Sequence, residues 1–230
     1  MARELDLDPR LKLAASFVRP QAVFADVGCD HGRLSVYLMQ QCGANSGYAC
    51  DIRPQPLEKA RQLIAKKGLE QQVTPVLTDG LQGMAQKGIT DVVIAGIGGE
   101  VLAHIVEEAA FLQDPAVRII LQPQSKEHVL RSCLYRLGYR IETEKAVRSG
   151  RFLYTVMVVS YCGEVKEIDD LFAYGGLLLQ ESSEEAKEKL GWTADNLLEI
   201  AESMKQSPAK KEDCRRLTMV AEQLRQAALK

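Results

Sequence analysis

The chain has 230 residues, 46% hydrophobic and 26% charged, and its 29 basic and 31 acidic side chains leave a net charge of −2. There is enough apolar material for a core, which excludes a mainly disordered chain, and the balanced charge excludes a polybasic nucleic-acid coat but not local basic patches. No apolar run approaches the ~20 residues that cross a bilayer, and residues 1–20 mix acids and bases where a secretory leader would be apolar, so a cytoplasmic protein with no membrane partner is expected.

Five short runs read as strands: Val23–Val27, Tyr48–Ile52, Thr74–Leu77, Asp91–Ala95 and Arg118–Gln122. Amphipathic patterns fall between the first five runs. Leu34, Tyr37, Leu38 and Met39 share one helical face, as do Leu57, Ala60, Leu63 and Ile64. Leu102, Ile105 and Val106 form the next, then Val129, Cys133, Leu134 and Leu137. Alternation of this kind predicts βαβ units on a parallel sheet. Tyr139–Ala146 and Phe152–Tyr161 lack a helix between them, and residues 148–151 read as a hairpin connection. The expected fold is therefore α/β, with a mostly parallel sheet and an antiparallel last strand.

Beyond Cys162 the pattern changes. Gly163–Asp170 reads as a polar linker, followed by a short helix at about Ile168–Gln180. Ser182 and Glu185 have capping-box spacing. Leu190, Leu197 and Met204 recur at seven residues, with Ala194 and Ala201 between them. Ser207-Pro208 reads as the start of a second helix, carrying Leu217, Val220, Leu224 and Ala227. Two heptad-spaced helices joined by a short link predict an antiparallel, coiled-coil-like hairpin, the alternative being that both pack onto the sheet. The expected division is residues 1–162 and residues 163–230. The six cysteines form no C-x-x-C pair, so reduced thiols and no metal site are expected.

The stretch Phe24-Ala-Asp-Val-Gly-Cys-Asp-His-Gly-Arg-Leu joins the first strand to the first helix. It does not fit the dinucleotide fingerprint G-x-G-x-x-G, because Asp30 would face a pyrophosphate. Asp26, Gly28 and Gly32 fit acid-x-Gly-x-x-x-Gly instead, the first motif of S-adenosylmethionine-dependent methyltransferases. That ligand carries an ammonium and a sulfonium, so carboxylates near it are favourable. Asp51 ends the second strand, 23 residues after Gly28, where an acid can hold ribose hydroxyls. Asp79 ends the third, where an acid can accept from an adenine amino group. The fourth strand ends in Gly96, Gly98 and Gly99, which let backbone approach a flat substrate. It lacks the Asn/Asp-Pro-Pro-aromatic sequence of exocyclic-amine methylation, and the absence of any Pro-Cys pair argues against thiolate-assisted pyrimidine methylation.

Taken together, the chain resembles the bacterial tRNA (adenine-22, N1)-methyltransferases. The resemblance rests on Arg10-Leu11, Ala25-Asp-Val-Gly-x-Asp-His, Gly80-Leu81 and Val93-Ile-Ala-Gly-Ile-Gly-Gly. It continues through Leu121-Gln-Pro, Leu130-Arg131, Tyr154 and Tyr174-Gly-Gly-Leu-Leu-Leu. It implies a Rossmann-like methyltransferase sheet with a C-terminal helical domain, S-adenosyl-L-methionine as cofactor and tRNA as substrate. It adds Arg10, Asp30, His31, Ile52, Gly80, Leu81 and Gly96 to Asp26, Gly28, Gly32, Asp51 and Asp79 as cofactor contacts. Arg33, Ser35 and Ile97 depart from the family pattern and are read as altering the loop rim.

Adenine N1 attacks the activated methyl through an in-plane lone pair, and the product is cationic. Asp30 is the candidate for stabilising that charge, with His31 beside it as a proton relay or loop anchor. Gly98, Gly99, Arg131, Arg136, Lys210 and Lys211 are the candidate RNA contacts, from a basic run at 131–151 and a lysine pair at the hairpin link. A monomer is the expected state. The competing readings are a methyltransferase of the same fold on a small molecule or protein, a non-catalytic nucleotide-binding regulator, and an NAD oxidoreductase, against which Asp30 stands.

Overall fold

The computed structural model describes residues 5–205 and 208–230. Seven strands make one sheet: β1 (Val23–Val27), β2 (Ser46–Asp51), β3 (Val73–Leu77), β4 (Asp91–Ile97), β5 (Arg118–Pro123), β6 (Tyr139–Ser149) and β7 (Phe152–Tyr161). The spatial order is β3-β2-β1-β4-β5-β7-β6. The first five strands run parallel, and β7 is antiparallel to both β5 and β6. The mostly parallel sheet with an antiparallel last strand is thus what the chain forms. Its order reverses between β1 and β4, so the crevice for a ligand opens there, at the carboxyl ends of the strands.

The helices are α1 (Pro9–Ser16), α2 (Arg33–Gln41), α3 (Pro54–Lys66), α4 (Gly99–Glu108), α5 (Glu127–Arg136), α6 (Asp170–Gly175), α7 (Glu184–Met204) and α8 (Lys211–Ala228). Side chains alternate across the sheet, and both faces are covered. Val92, Ile94, Ile119 and Leu121 pack with Leu102, Val106, Leu130 and Leu134 from α4 and α5. Phe24, Val93 and Ile120 pack on the opposite face with Leu38, Leu57, Ile64 and Ala14 from α2, α3 and α1. Burial on two sides is why these strands read as unbroken apolar runs.

Two local expectations are corrected. The β3–β4 connection contains no helix; it is a series of turns in which Gly80, Gly83 and Gly88 take positive φ. Helix α1 was not foreseen, because it buries only Ala14 and Ala15 and so lacks a bulky apolar stripe. Its start is ordinary: Asp8 accepts from the Arg10 amide at 3.0 Å and Pro9 follows the cap.

In the C-terminal part, α6 runs into a 3-10 turn at Gly176–Gln180. The cap of α7 is Ser183, whose hydroxyl accepts from the Ala186 amide at 3.3 Å; the cap thus lies one residue beyond Ser182, and with Ala186 at the third helical position the box read with Glu185 does not form. Ser207 lies outside the described residues, and α8 begins after a 3-10 turn at Pro208–Lys210. Leu190, Ala194, Leu197 and Ala201 meet Leu217, Val220, Ala221 and Leu224 as the heptads predict. The pairing is antiparallel: Arg225 reaches Asp195 at 2.6 Å, and the Cys214 thiol donates to the Ala201 carbonyl at 3.3 Å.

The two helices also dock on the rest of the chain. Lys189 pairs with Glu127 at 2.7 Å, Glu188 with Arg148, and Arg216 with Asp170 at 3.4 Å. The strongest tie is buried. Arg131 on α5 pairs with Glu144 on β6 and donates to the carbonyls of Ala173 and Tyr174 at 2.7 and 3.0 Å.

Candidate functional site

Three strand ends build the site. Past β1, Gly28 and Cys29 both donate their amides to the Cys50 carbonyl at 2.9 Å, folding the loop over the end of β2. Gly28 and Gly32 have φ of +74° and +69°, a region that L side chains avoid. A Cβ on Gly32 would also lie 2.9 Å from the Ala60 Cβ, so glycine lets α2 begin against α3. Asp30 takes the same left-handed conformation with a side chain, at φ 51°. Its amide donates to the Asp51 carboxylate at 3.1 Å, while the other Asp51 oxygen accepts from the Arg53 amide at 2.9 Å. Asp51 therefore locks the first loop to the second.

Asp26 is buried at the end of β1. One of its oxygens accepts from the Ser35 amide at 3.1 Å and the Ser35 hydroxyl at 2.6 Å. Burial raises its carboxyl from 3.8 to about 6, with the two Ser35 bonds pulling the other way. Ser35 is fully buried here and does not shape the loop rim as expected; its departure from the family pattern supplies Asp26 with a partner.

These loops enclose a cleft of about 530 Å³, lined by Arg10, Asp26, Gly28, Asp30, His31, Asp51, Ile52, Asp79, Gly80 and Gly96. Most of the predicted cofactor set is thus brought together. Ile52 lines the cleft with 59% of its surface exposed, an apolar face among the carboxylates. Asp30 is exposed, and its carboxylate lies 3.5 Å from the His31 Nδ1. Arg33, Ile97, Val101, Ile105 and Gln124 also line the cleft.

Several expectations fail on packing grounds. Leu81 is buried in the core beside Met84 and does not line the cleft. Gly99 is a packing residue: a Cβ there would stand 2.4 Å from the Lys126 carbonyl oxygen, and its amide donates to the Ser125 carbonyl at 2.8 Å. Gly98, beside it, is the extended residue before α4 and does not line the cleft either. Arg131 is 1% exposed and paired with Glu144, so no phosphate can reach it. Arg136, Lys210 and Lys211 are exposed but lie outside the cleft.

Gln122 was quoted only within Leu121-Gln-Pro, without a role. It is fully buried at the end of β5 and accepts from Arg10 Nη1 at 2.6 Å and from the Gly96 amide at 3.1 Å. A lone amide in an otherwise apolar strand was the available signal. Gly96 has φ +78°, and a Cβ there would crowd Arg10 Nη1 at 3.1 Å. Cys29 and Cys50 also line the cleft. Burial, then the neighbouring Asp26 charge, pushes the Cys29 thiol far up and the Cys50 thiol to about 12. Neither is a nucleophile at neutral pH. Among the described residues no group of three metal-ligating side chains converges, and no helix is long and apolar enough to cross a membrane.

Comparison with known proteins agrees with this geometry. The methyltransferase domain family matches residues 7–157. The tRNA (adenine(22)-N(1))-methyltransferase of Bacillus subtilis is 30% identical over 177 residues, 76% of this chain and 74% of its own. The crystal structure of the B. subtilis enzyme of that name superposes with a TM-score of 0.84 at 25% identity, covering 99% of this chain and all of that one. A Streptococcus pneumoniae protein assigned to the same activity and solved with S-adenosyl-L-methionine superposes at 0.79 with 26% identity, covering 94% and 98%. The chain belongs to the family of Rossmann-like, S-adenosylmethionine-dependent tRNA (adenine-22, N1)-methyltransferases.

Proposed function

We propose that this chain methylates N1 of adenine-22 in tRNA, acting as a cytoplasmic monomer. The observation that carries the reading is the convergence of Asp30, Asp51 and Asp79 with exposed Ile52 on one cleft at the switch point. The cleft's size falls within the ~300–1,000 Å³ of small-molecule sites. Its carboxylates suit a ligand with two cationic centres, and Ile52 suits a purine ring. On this reading Asp51 would accept from ribose hydroxyls and Asp79 from the adenine amino group, while Gly28 and Gly80 keep the walls clear of side chains. S-adenosylmethionine, when bound, supplies a methyl group activated by its sulfonium.

The protein's own work is positioning. Arg10, held by Gln122 beside Gly96, shapes the mouth of the cleft. Asp30, beside His31 on the exposed rim, presents a carboxylate to the positive charge that the adenine acquires. No proton need leave N1, because its lone pair is free at neutral pH, so His31 orients Asp30 and is not needed as a base.

Residues 1–162 are the catalytic unit on this reading, and 163–230 form an RNA-facing appendage with Lys210 and Lys211 at its link. The hydrogen bonds that Arg131 donates to the carbonyls of Ala173 and Tyr174, and the one that Glu144 accepts from the Leu177 amide, tie the first part of that appendage into the catalytic unit. Leu171, Leu178 and Leu179 pack into the core of the helical hairpin at the same time, so residues 170–180 join the two parts. The test is transfer of labelled methyl to an unmodified tRNA transcript. Primer extension should then stop at adenine-22, because N1 methylation blocks the pairing edge. A transcript with guanine at that position should accept no label, and label on a small metabolite or protein instead would refute the proposal.

A further inference from the structure

Rings and guanidinium groups continue from the mouth of the cleft onto the surface. The Arg10 guanidinium, part of the cleft lining, lies 5.5 Å from the centre of the Tyr154 ring. Tyr154 tilts against Phe152, with centroids 6.2 Å apart. Phe152 meets Trp192 edge-on at 6.3 Å and 68°. Arg151 sits over the Phe152 ring at 4.8 Å. Tyr154 and Phe152 share one face of β7, because side chains alternate along a strand, and Trp192 arrives from α7.

Packing between β7 and α7 does not account for this row. Phe152 is 42% exposed and Trp192 40% exposed. Single exposed apolar side chains are common, but these two adjoin one another and lead through Tyr154 and Arg10 to the cleft. Arg151 makes no ion pair among the described residues, and its guanidinium rests on the Phe152 ring.

We propose that this row is a binding track for unpaired nucleotides of the RNA substrate. Bases stack on Trp192 and Phe152, a phosphate meets Arg151, and the chain of nucleotides is led past Tyr154 toward the cleft. The inference rests on the RNA-methylation reading above and adds a site outside the reaction centre. Unstacked bases are commonly held on aromatic faces, and guanidinium groups neutralise the backbone between them. A protein partner docking by an apolar face would need a continuous apolar surface. This one is interrupted by Arg151, whose guanidinium covers the Phe152 ring.

Trp192 is the only tryptophan in the chain, so its fluorescence reports one point of the track. Adding an unmodified tRNA transcript to the full-length protein should quench that emission, with half of the change reached near the tRNA concentration at which methylation half-saturates. Trp192→Leu and Phe152→Leu keep apolar bulk and lose the ring. Each should raise KM for tRNA by about 5- to 150-fold, with kcat at saturating tRNA and the Kd for S-adenosylmethionine unchanged. Trp192→Phe should restore most of the loss, which a purely structural role would not predict. Wild-type KM in both leucine variants, or no quenching while the wild type methylates tRNA, overturns the track and leaves the activity standing. A leucine variant that fails to fold is recognised by lost cofactor binding, and the wild-type quenching then decides. A wild-type protein that transfers no methyl to tRNA ends both readings together.

Discussion

Replacing Arg131 by alanine should be among the most damaging single changes outside the cleft. Its guanidinium gives Nε to Glu144 at 3.0 Å and Nη1 to the Ala173 and Tyr174 carbonyls at 2.7 and 3.0 Å. The second Glu144 oxygen accepts from the Leu177 amide at 2.8 Å. Gly176 closes over the pair, since a Cβ there would lie 2.1 Å from that oxygen. Arg131→Ala leaves a buried carboxylate whose remaining partner is one amide. Breaking a buried pair in this way costs about 3–5 kcal/mol. Two carbonyls lose their donor as well, each worth ~1 kcal/mol. The total of roughly 5–7 kcal/mol compares with ~5–15 kcal/mol for a whole domain, so urea unfolding followed by circular dichroism should show a large drop in midpoint. Arg131→Met combined with Glu144→Leu removes the orphan charge and should recover most of the loss. A single variant within 1 kcal/mol of wild type, or a double variant as unstable as the single, would refute the reasoning.

Three further outcomes follow from the site. In the folded chain the Asp26 carboxyl, raised by burial to about 6, keeps its proton longer than in the unfolded chain, where it titrates near 3.8. Its contribution to stability is thus full below about pH 4 and lost as the pH rises through about 6. Asp26→Asn should flatten that slope and add roughly 2–3 kcal/mol at neutral pH, read from urea midpoints between these limits; an unchanged slope would contradict the assignment. Asp51→Asn should weaken S-adenosylmethionine binding by ~10- to 100-fold in calorimetry, and unchanged affinity would displace the ribose from this carboxylate. Gly32→Ala, forced to a positive φ and against Ala60, should lose at least ~1–2 kcal/mol in thermal melts. Adding Ala60→Gly should return only the steric share, and full recovery would mean that backbone strain is negligible there.

The carboxylates of the cleft were legible because parallel strands all end on one edge of a sheet. Once Val23–Val27, Tyr48–Ile52 and Thr74–Leu77 are read as successive parallel strands, Asp26, Asp51 and Asp79 must share that edge, whatever the rest of the chain does. The heptads of Leu190 and Leu197 with Leu217 and Leu224 were legible for a similar reason: a helical repeat places its own residues on one face. Other residues carried identity without address. Arg131 looked like its neighbours in a basic run, yet its partners lie 13, 42 and 43 residues away. Gly99 looked like Gly96 in one glycine-rich turn, but only the Ser125–Lys126 backbone makes it a packing residue. Local periodicity and strand direction determine which side chains share a face, and those follow from the sequence alone. Whether a charge is buried or offered to a ligand depends on what the distant chain brings against it, and only the tertiary structure decided that.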